Sequence, residues 1–397
     1  MATLNHVEHP ESMNPLPLHE FHHSLNASFG DLHGAQIVSS YGDVPAEHAA
    51  LIERAGVLDL SFRSRICLTG ADRVRFLHGQ VTNDINRLRP GEGCYAAITT
   101  AKGKMESDLN IYALQDELLL DFEPGLTEKI SQRLEKFIVS DDVQVVDVTP
   151  LYGLLSVQGP QAEAAVKALG IFPELPGAAF QSLKVSDAML GEMYLMNQAR
   201  VGLHESGAQG SDFAKASTDK VARPAWGFDL FVPTDSLGAV ADKLIAAAKS
   251  VGGRACGWDA LEIARIEAGI PRFGVDMNES NIPLEAGIES RAVSYKKGCY
   301  IGQEVINRIH SIGHVNKELR GLRLADDLKT LPAKGDKLFH DGKEVGCVTS
   351  ATNSPALHTN IALGYVRREA NAPGTELVLR LGADETKAII TELPFPK

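Results

Sequence analysis

The stretch Lys296-Lys297-Gly298-Cys299-Tyr300-Ile301-Gly302-Gln303-Glu304, followed by Arg308 and His310, gathers the groups in this chain best suited to chemistry. A cysteine and a tyrosine stand between two glycines, with two lysines just before them. Glycine at 298 and 302 lets the backbone turn or be approached closely. The lysines, Arg308 and His310 could place positive charge near the sulfur and favour the thiolate, the nucleophilic and metal-binding form. The same residues also suit a small buried cysteine in a turn.

Other chemistries find less support. There is no phosphate-binding Gly-x-x-x-x-Gly-Lys loop, no Gly-x-Gly-x-x-Gly between a strand and a helix, no His-Glu-x-x-His and no Gly-x-Ser-x-Gly. His19, His22 and His23 could bind metal, but no acid or cysteine at matching spacing accompanies them, so no metal site is expected. The five cysteines, Cys67, Cys94, Cys256, Cys299 and Cys347, are scattered and odd in number, with no Cys-x-x-Cys pair. That argues against a disulfide framework and for a reducing compartment. Apart from Cys299, each reads as packing rather than ligand.

Positioning these groups takes more than one core. A chain of 397 residues implies two or three domains. Its 44% apolar and 23% charged residues are ordinary for a globular protein, and a net charge of −12 gives no broad basic face for nucleic acid. No apolar run is long enough to span a membrane, and the first lysine or arginine is Arg54, so a basic targeting leader is not expected. The location expected is the cytoplasm.

Residues 1–20, rich in proline and histidine, read as a disordered lead. A first α+β unit (21–150) follows, with strands over 64–69, 95–100, 105–114, 117–122 and 142–148. Its helices fall over 46–55, 72–77 and 124–138, with Asp72 as an N-cap. A second unit (151–316) repeats the order, with strands over 151–157, 180–185, 192–196 and 227–232 and helices after Gly159 and over 237–248. The Gly/Ser/Ala-rich insert 204–219 reads as a surface loop. Residues 317–397 are short β segments broken by Gly335-Asp336, Asp341-Gly342 and Pro373-Gly374, which suggests a small antiparallel barrel.

Lys297-Gly298-Cys299-Tyr300-Ile301-Gly302-Gln303-Glu304 resembles the signature of the YgfZ family, the folate-binding iron–sulfur maintenance branch of the glycine-cleavage T-protein (aminomethyltransferase) superfamily. Further motifs are similar to those of the superfamily and fall in the same order. They are Ala55-Gly56-Val57-Leu58-Asp59-Leu60-Ser61, Gly70-Ala71-Asp72, Phe76-Leu77, Thr82-Asn83-Asp84, Trp226-Gly227-Phe228-Asp229-Leu230 and Arg265-Ile266-Glu267-Ala268-Gly269. Gly346-Cys347-Val348-Thr349-Ser350 and Leu363-Gly364-Tyr365-Val366 extend the likeness to the C-terminus.

The resemblance implies an α+β, three-domain fold around a central channel for tetrahydrofolate or a derivative. It implies that Asp229, where T-proteins carry Glu, accepts the paired N–H donors of the pterin ring. Asp108 is the second candidate, both as folate contact and for proton handling, and Tyr95 and Arg308 are further candidate folate contacts. Cys299 would supply a thiol for transient sulfur or cluster contact. Two positions depart from the T-protein pattern: Ser107 replaces the first of two adjacent aspartates, and Leu261 replaces a site arginine. Both departures weigh against aminomethyl transfer, which stays as the alternative activity should the protein be an enzyme. The expected role is support of iron–sulfur assembly or repair in client enzymes, reaching tRNA modification through such clients. The expected partners are folate and iron–sulfur client or assembly proteins, without direct nucleic-acid or membrane contact, and the expected state is a monomer.

Overall fold

The computed structural model describes residues 14–202, 227–382 and 384–396. Helix α1 (His19–Ser24) and the hairpin β1 (Ser28–Leu32) and β2 (Ala35–Ser40) lead into α2 (Val44–Glu53) and β3 (Gly56–Asp59). Asp43 caps α2, its Oδ1 accepting from the amide of Ala46 at 3.1 Å. Within the stretch expected as a disordered lead, the described residues 14–20 are ordered. Leu16 and Leu18 are buried, and Asn14 bonds through its backbone to Gly34 and Gln36. Two leucines among the prolines give this stretch apolar area that its overall polarity conceals.

The first unit comprises β4 (Ser64–Thr69), α3 (Arg73–His78), β5 (Glu92–Thr99), β6 (Met105–Ala113), β7 (Leu118–Phe122), α4 (Thr127–Glu135) and β8 (Gln144–Asp147). Its strands run β5-β6-β7-β4-β8, all antiparallel. One face buries Ile66, Leu68, Ile98, Leu109, Ile111 and Leu120 against Phe76 and Leu77 of α3 and Ile130 and Leu134 of α4. Asp72 does precede α3, but its carboxylate accepts from the amide of Asp142 at 3.0 Å and pairs with Arg75, and no side-chain bond caps the helix.

The second unit comprises β9 (Tyr152–Gln158), α5 (Ala162–Leu169), β10 (Ser182–Asp187), β11 (Gly191–Asn197), β12 (Gly227–Pro233), α6 (Leu237–Ser250) and β13 (Arg254–Ala255). The sheet order is β10-β11-β12-β9-β3-β13, so β3 leaves its sequence neighbours and pairs with β9. Leu155, Val157 and Leu230 of this sheet pack on Val166 of α5 and Leu244 and Ala248 of α6. The insert 204–219 and Trp226 lie outside the described residues.

Helices α7 (Trp258–Glu267), α8 (Glu289–Ala292) and α9 (Gln303–Ile312) connect to the last unit. There β14 (Lys317–Leu324), β15 (Lys337–His340), β16 (Lys343–Ser354), β17 (Thr359–Arg367), β18 (Glu376–Leu381) and β19 (Asp384–Thr391) close a barrel in the order β14-β17-β16-β15-β18-β19. Closure leaves no open sheet edge. The expected α+β fold, with two α+β units and a small antiparallel C-terminal barrel, is the one the chain adopts. No helix among the described residues is long and apolar enough to cross a membrane.

Candidate functional site

Side chains alternate along β6, and the two faces differ in character. Leu109 and Ile111 enter the core beneath α3 and α4. Asp108, Asn110 and Tyr112 line the opposite face. Tyr112 meets Phe231 of β12 edge-on and donates to Gln198 Oε1 at 3.0 Å, so this face looks toward the second sheet.

Charged groups run through that space in alternating sign. Asp229 on β12 takes a fork from Arg200, with Nε at 3.1 and 3.0 Å and Nη2 at 2.5 Å. Arg200 Nη2 also reaches Asp121 of β7 at 3.1 Å, and Asn110 donates to the same carboxylate oxygen at 3.0 Å. Arg63 then bridges Asp121 and Glu123, each at 2.8 Å. Arg272 joins Glu123 at 2.9 Å to Glu262 of α7 at 2.8 Å, with its guanidinium 4.3 Å over the Trp258 ring. Arg265 continues from Glu262 to Asp276, which accepts from Thr349 and Ser350 of the barrel at 2.5 and 2.7 Å. A largely buried chain of ion pairs, completed by the hydrogen bonds from Thr349 and Ser350 to Asp276, thus ties all three units together.

Burial would raise the Asp121 and Glu123 carboxyls, but the neighbouring arginines outweigh it, holding Asp121 well below the usual range and Glu123 at about 2. At Asp229 burial leads and raises the carboxyl, with Arg200 working against it. Asp229 is fully buried, and Arg200 occupies both its oxygens. Such pairing suits charges excluded from water, which are costly unless matched.

Asp108 lies beside this chain. Tyr95 of β5 donates to its Oδ2 at 2.6 Å, and Arg291 stacks 5.1 Å over the Tyr95 ring. Burial raises the Asp108 carboxyl to about 6, with the Tyr95 hydroxyl opposing and Glu123 reinforcing. Ser107 faces away, fully buried, its hydroxyl on the carbonyl of Asp108 at 2.8 Å. Leu261 is buried in the apolar cluster around Trp258.

The cysteine loop docks on the same hairpin. Gly302 has φ +93°, and a Cβ there would fall 2.6 Å from both the carbonyl of Thr100 and Thr99 Oγ1. Thr99 in turn donates to the carbonyl of Ile301 at 2.6 Å. Gln303 and Glu304 open α9, and Gln303 donates back to the carbonyl of Gly298 at 3.3 Å. Tyr300 is buried, and Gly298 and Cys299 are exposed.

The cations expected around the sulfur are partly engaged elsewhere. Lys297 is buried, its Nζ donating to the carbonyls of His78 and Val81 at 2.6 Å and of Asn83 at 3.0 Å. Burial lowers it to about 8, with Asp84 opposing. A lysine stem long enough to reach three inward carbonyls fastens the loop rather than serving the thiol. His310 bonds Glu289 at 2.6 Å and stacks on Tyr295 at 3.8 Å. Lys296 and Arg308 are exposed, and Arg308 has no hydrogen bond or ion pair among the described residues.

Sequence reasoning missed Arg63, Asp121, Glu123, Arg200 and Arg272. A signal existed in Leu118-Leu119-Leu120-Asp121-Phe122-Glu123, where charges interrupt an apolar strand buried throughout. Two of the three histidines are tied into the fold: His22 bonds Asp59 and Tyr41, each at 2.8 Å, and His19 bonds Gln36 at 2.9 Å. Among the described residues no group of three or more His, Cys, Asp or Glu could hold a metal.

Residues 18–202 and 225–297 match the family model of the GCVT N-terminal domain, and 317–397 match that of the glycine cleavage T-protein C-terminal barrel domain. The chain is 28% identical over 384 residues to an aminomethyltransferase of Halalkalibacterium halodurans, covering 96% of this chain and 97% of that one. It is 29% identical over 380 residues to the aminomethyltransferase of Geobacillus kaustophilus, with 96% and 97% covered. In fold it is similar to the glycine cleavage system aminomethyltransferase T from Bartonella henselae, with a TM-score of 0.83 at 23% identity, covering 97% of this chain and 98% of that one.

Proposed function

The chain belongs to the glycine-cleavage T-protein family, and from that premise we propose that it binds tetrahydrofolate and supports assembly or repair of iron–sulfur clusters in client enzymes, reaching tRNA modification through such clients. The observation that carries this reading is the shared support of thiol and ligand site. Exposed Cys299 sits on a loop that Gly302 seats against the β5–β6 hairpin, and that hairpin also carries Tyr95 and Asp108. The folate would lie between β6 and β12, with Asp108, Tyr95 and the Arg200–Asp229 pair around its ring. One cysteine cannot hold a cluster alone, so its contact with sulfur or cluster is brief or shared with a client.

A second reading is aminomethyl transfer, the activity named for the relatives. Asp108 favours it, since a carboxyl held at about 6 can exchange a proton near neutral pH. Ser107 and Leu261 count against it: the first spends its hydroxyl on the backbone, and the second lies in an apolar cluster.

The test is calorimetric titration with tetrahydrofolate, beside iron–sulfur enzyme activity in a deletion strain carrying wild-type or Cys299→Ser protein. Folate binding by both proteins, with client activity restored by the wild type alone, supports the first reading. Robust aminomethyl transfer with glycine-cleavage partner proteins, together with full complementation by Cys299→Ser, would establish the second instead.

A further inference from the structure

The guanidinium of Arg200 has two usable edges, and the protein fills only part of them. Its Nε and Nη2 hold Asp229, and Nη2 also holds Asp121. Nη1 has no hydrogen-bond partner among the described residues, and it is not among the buried polar atoms left without one. The Arg200 side chain retains 11% exposure, whereas those of Asp229 and Asp121 retain 0%. Of the three charged groups, only the arginine keeps any exposed side-chain surface.

We infer that Arg200, rather than Asp229, is the residue that reads the ligand's ring edge, and that it selects a hydrogen-bond acceptor there. The proposal rests on the folate reading and sharpens it. Asp229 and Asp121 act as counter-ions that fix the guanidinium plane and aim Nη1 outward; such fixed forks suit planar acceptors. In a pterin the matching acceptor is the 4-oxo oxygen. A 2,4-diaminopteridine carries an amino group at that position, so two donors would face each other without an acceptor between them.

The alternative geometry makes the opposite prediction. If Arg200 swung away and Asp229 received the ring, the carboxylate would favour the more basic diaminopteridine, which can bind as a cation in a charge-assisted pair.

Folic acid and its 4-amino counterpart aminopterin distinguish the two arrangements, since they share every other part. Calorimetry on the full-length protein should show folic acid binding about tenfold or more tighter, the scale of one hydrogen bond to a charged group. Arg200→Gln should bring the two ligands to within about threefold of each other. Arg200→Lys keeps a cation beside Asp229 and so guards against misfolding. It lacks the planar fork and should also lose most of the preference. A wild-type preference for aminopterin, or a preference for folic acid unchanged in folded Arg200→Lys, would overturn the assignment while leaving folate binding intact. Failure of wild-type protein to bind either ligand or tetrahydrofolate would remove the folate reading and this assignment together.

Discussion

The hydroxyl of Tyr95 donates to Asp108 Oδ2 at 2.6 Å, diagonally across a strand pair in which Asp108 lies opposite Ala97. Burial dominates this carboxyl and lifts it from the usual aspartate range to about 6. A raised folded-state value means that the native protein holds the proton more tightly than the unfolded chain. The resulting stability is fully present below about pH 4 and is lost as pH rises through about 6. Asp108 is only half-buried, so the full shift is discounted to about 1–2 kcal/mol. Asp108→Asn, which stays neutral, should gain that much relative to wild type between pH 4 and 7. Urea unfolding at several pH values measures it, and a difference independent of pH would refute the protonation assignment.

The two glycines of the cysteine loop should behave differently. Gly302→Ala must accept a positive φ and a clash with Thr100, at about 2–4 kcal/mol. A Cβ on Gly298 meets nothing closer than His78 Nε2 at 3.6 Å, so Gly298→Ala should cost below about 1 kcal/mol. Equal losses in thermal or urea unfolding would contradict the close approach at Gly302.

Much of the fold was legible because its signals are local. The order of motifs, the helical stripe of Val240, Leu244 and Ala248, and the short turn-punctuated C-terminal strands all follow from short-range pattern. The crossing of β3 into the second sheet was not legible, because that pairing joins Leu58 to Ser156 across a long separation. The same limit hid the ion-pair chain, where Arg63 finds Asp121 and Arg200 finds both Asp121 and Asp229. Spacing could gather cations near Cys299 but could not say that Lys297 turns inward to three carbonyls.

The Arg200–Asp229 pair makes a stability prediction separate from ligand binding. Asp229→Ala leaves Arg200 with Asp121, which Arg63 already serves, and strands positive charge in a buried setting. Loss of one buried partner costs about 3–5 kcal/mol. The double variant Asp229→Leu with Arg200→Met removes both charges and should be less destabilised than Asp229→Ala. A double variant at least as unstable as the single one, by urea unfolding, would mean that the pair matters for shape rather than charge.

All five cysteines lie among the described residues, and they differ in access: Cys67 and Cys256 are buried, Cys94 and Cys347 half-buried, and Cys299 exposed. Burial raises the thiols of Cys67 and Cys256, and lifts Cys94 to about 12, suppressing the thiolate that reacts. In native protein Cys299 should therefore be the first labelled by iodoacetamide, with the others slow until the chain unfolds. Cys299→Ser changes an exposed atom and should shift stability by under about 0.5 kcal/mol, leaving folate affinity unchanged. Serine is a far poorer nucleophile and soft-metal ligand, so the same variant should fail to sustain client iron–sulfur enzymes, most visibly under oxidative stress. Mass spectrometry of labelled peptides and complementation of a deletion strain check both halves. Full complementation by a stable, folate-competent Cys299→Ser protein would take the thiol out of the mechanism.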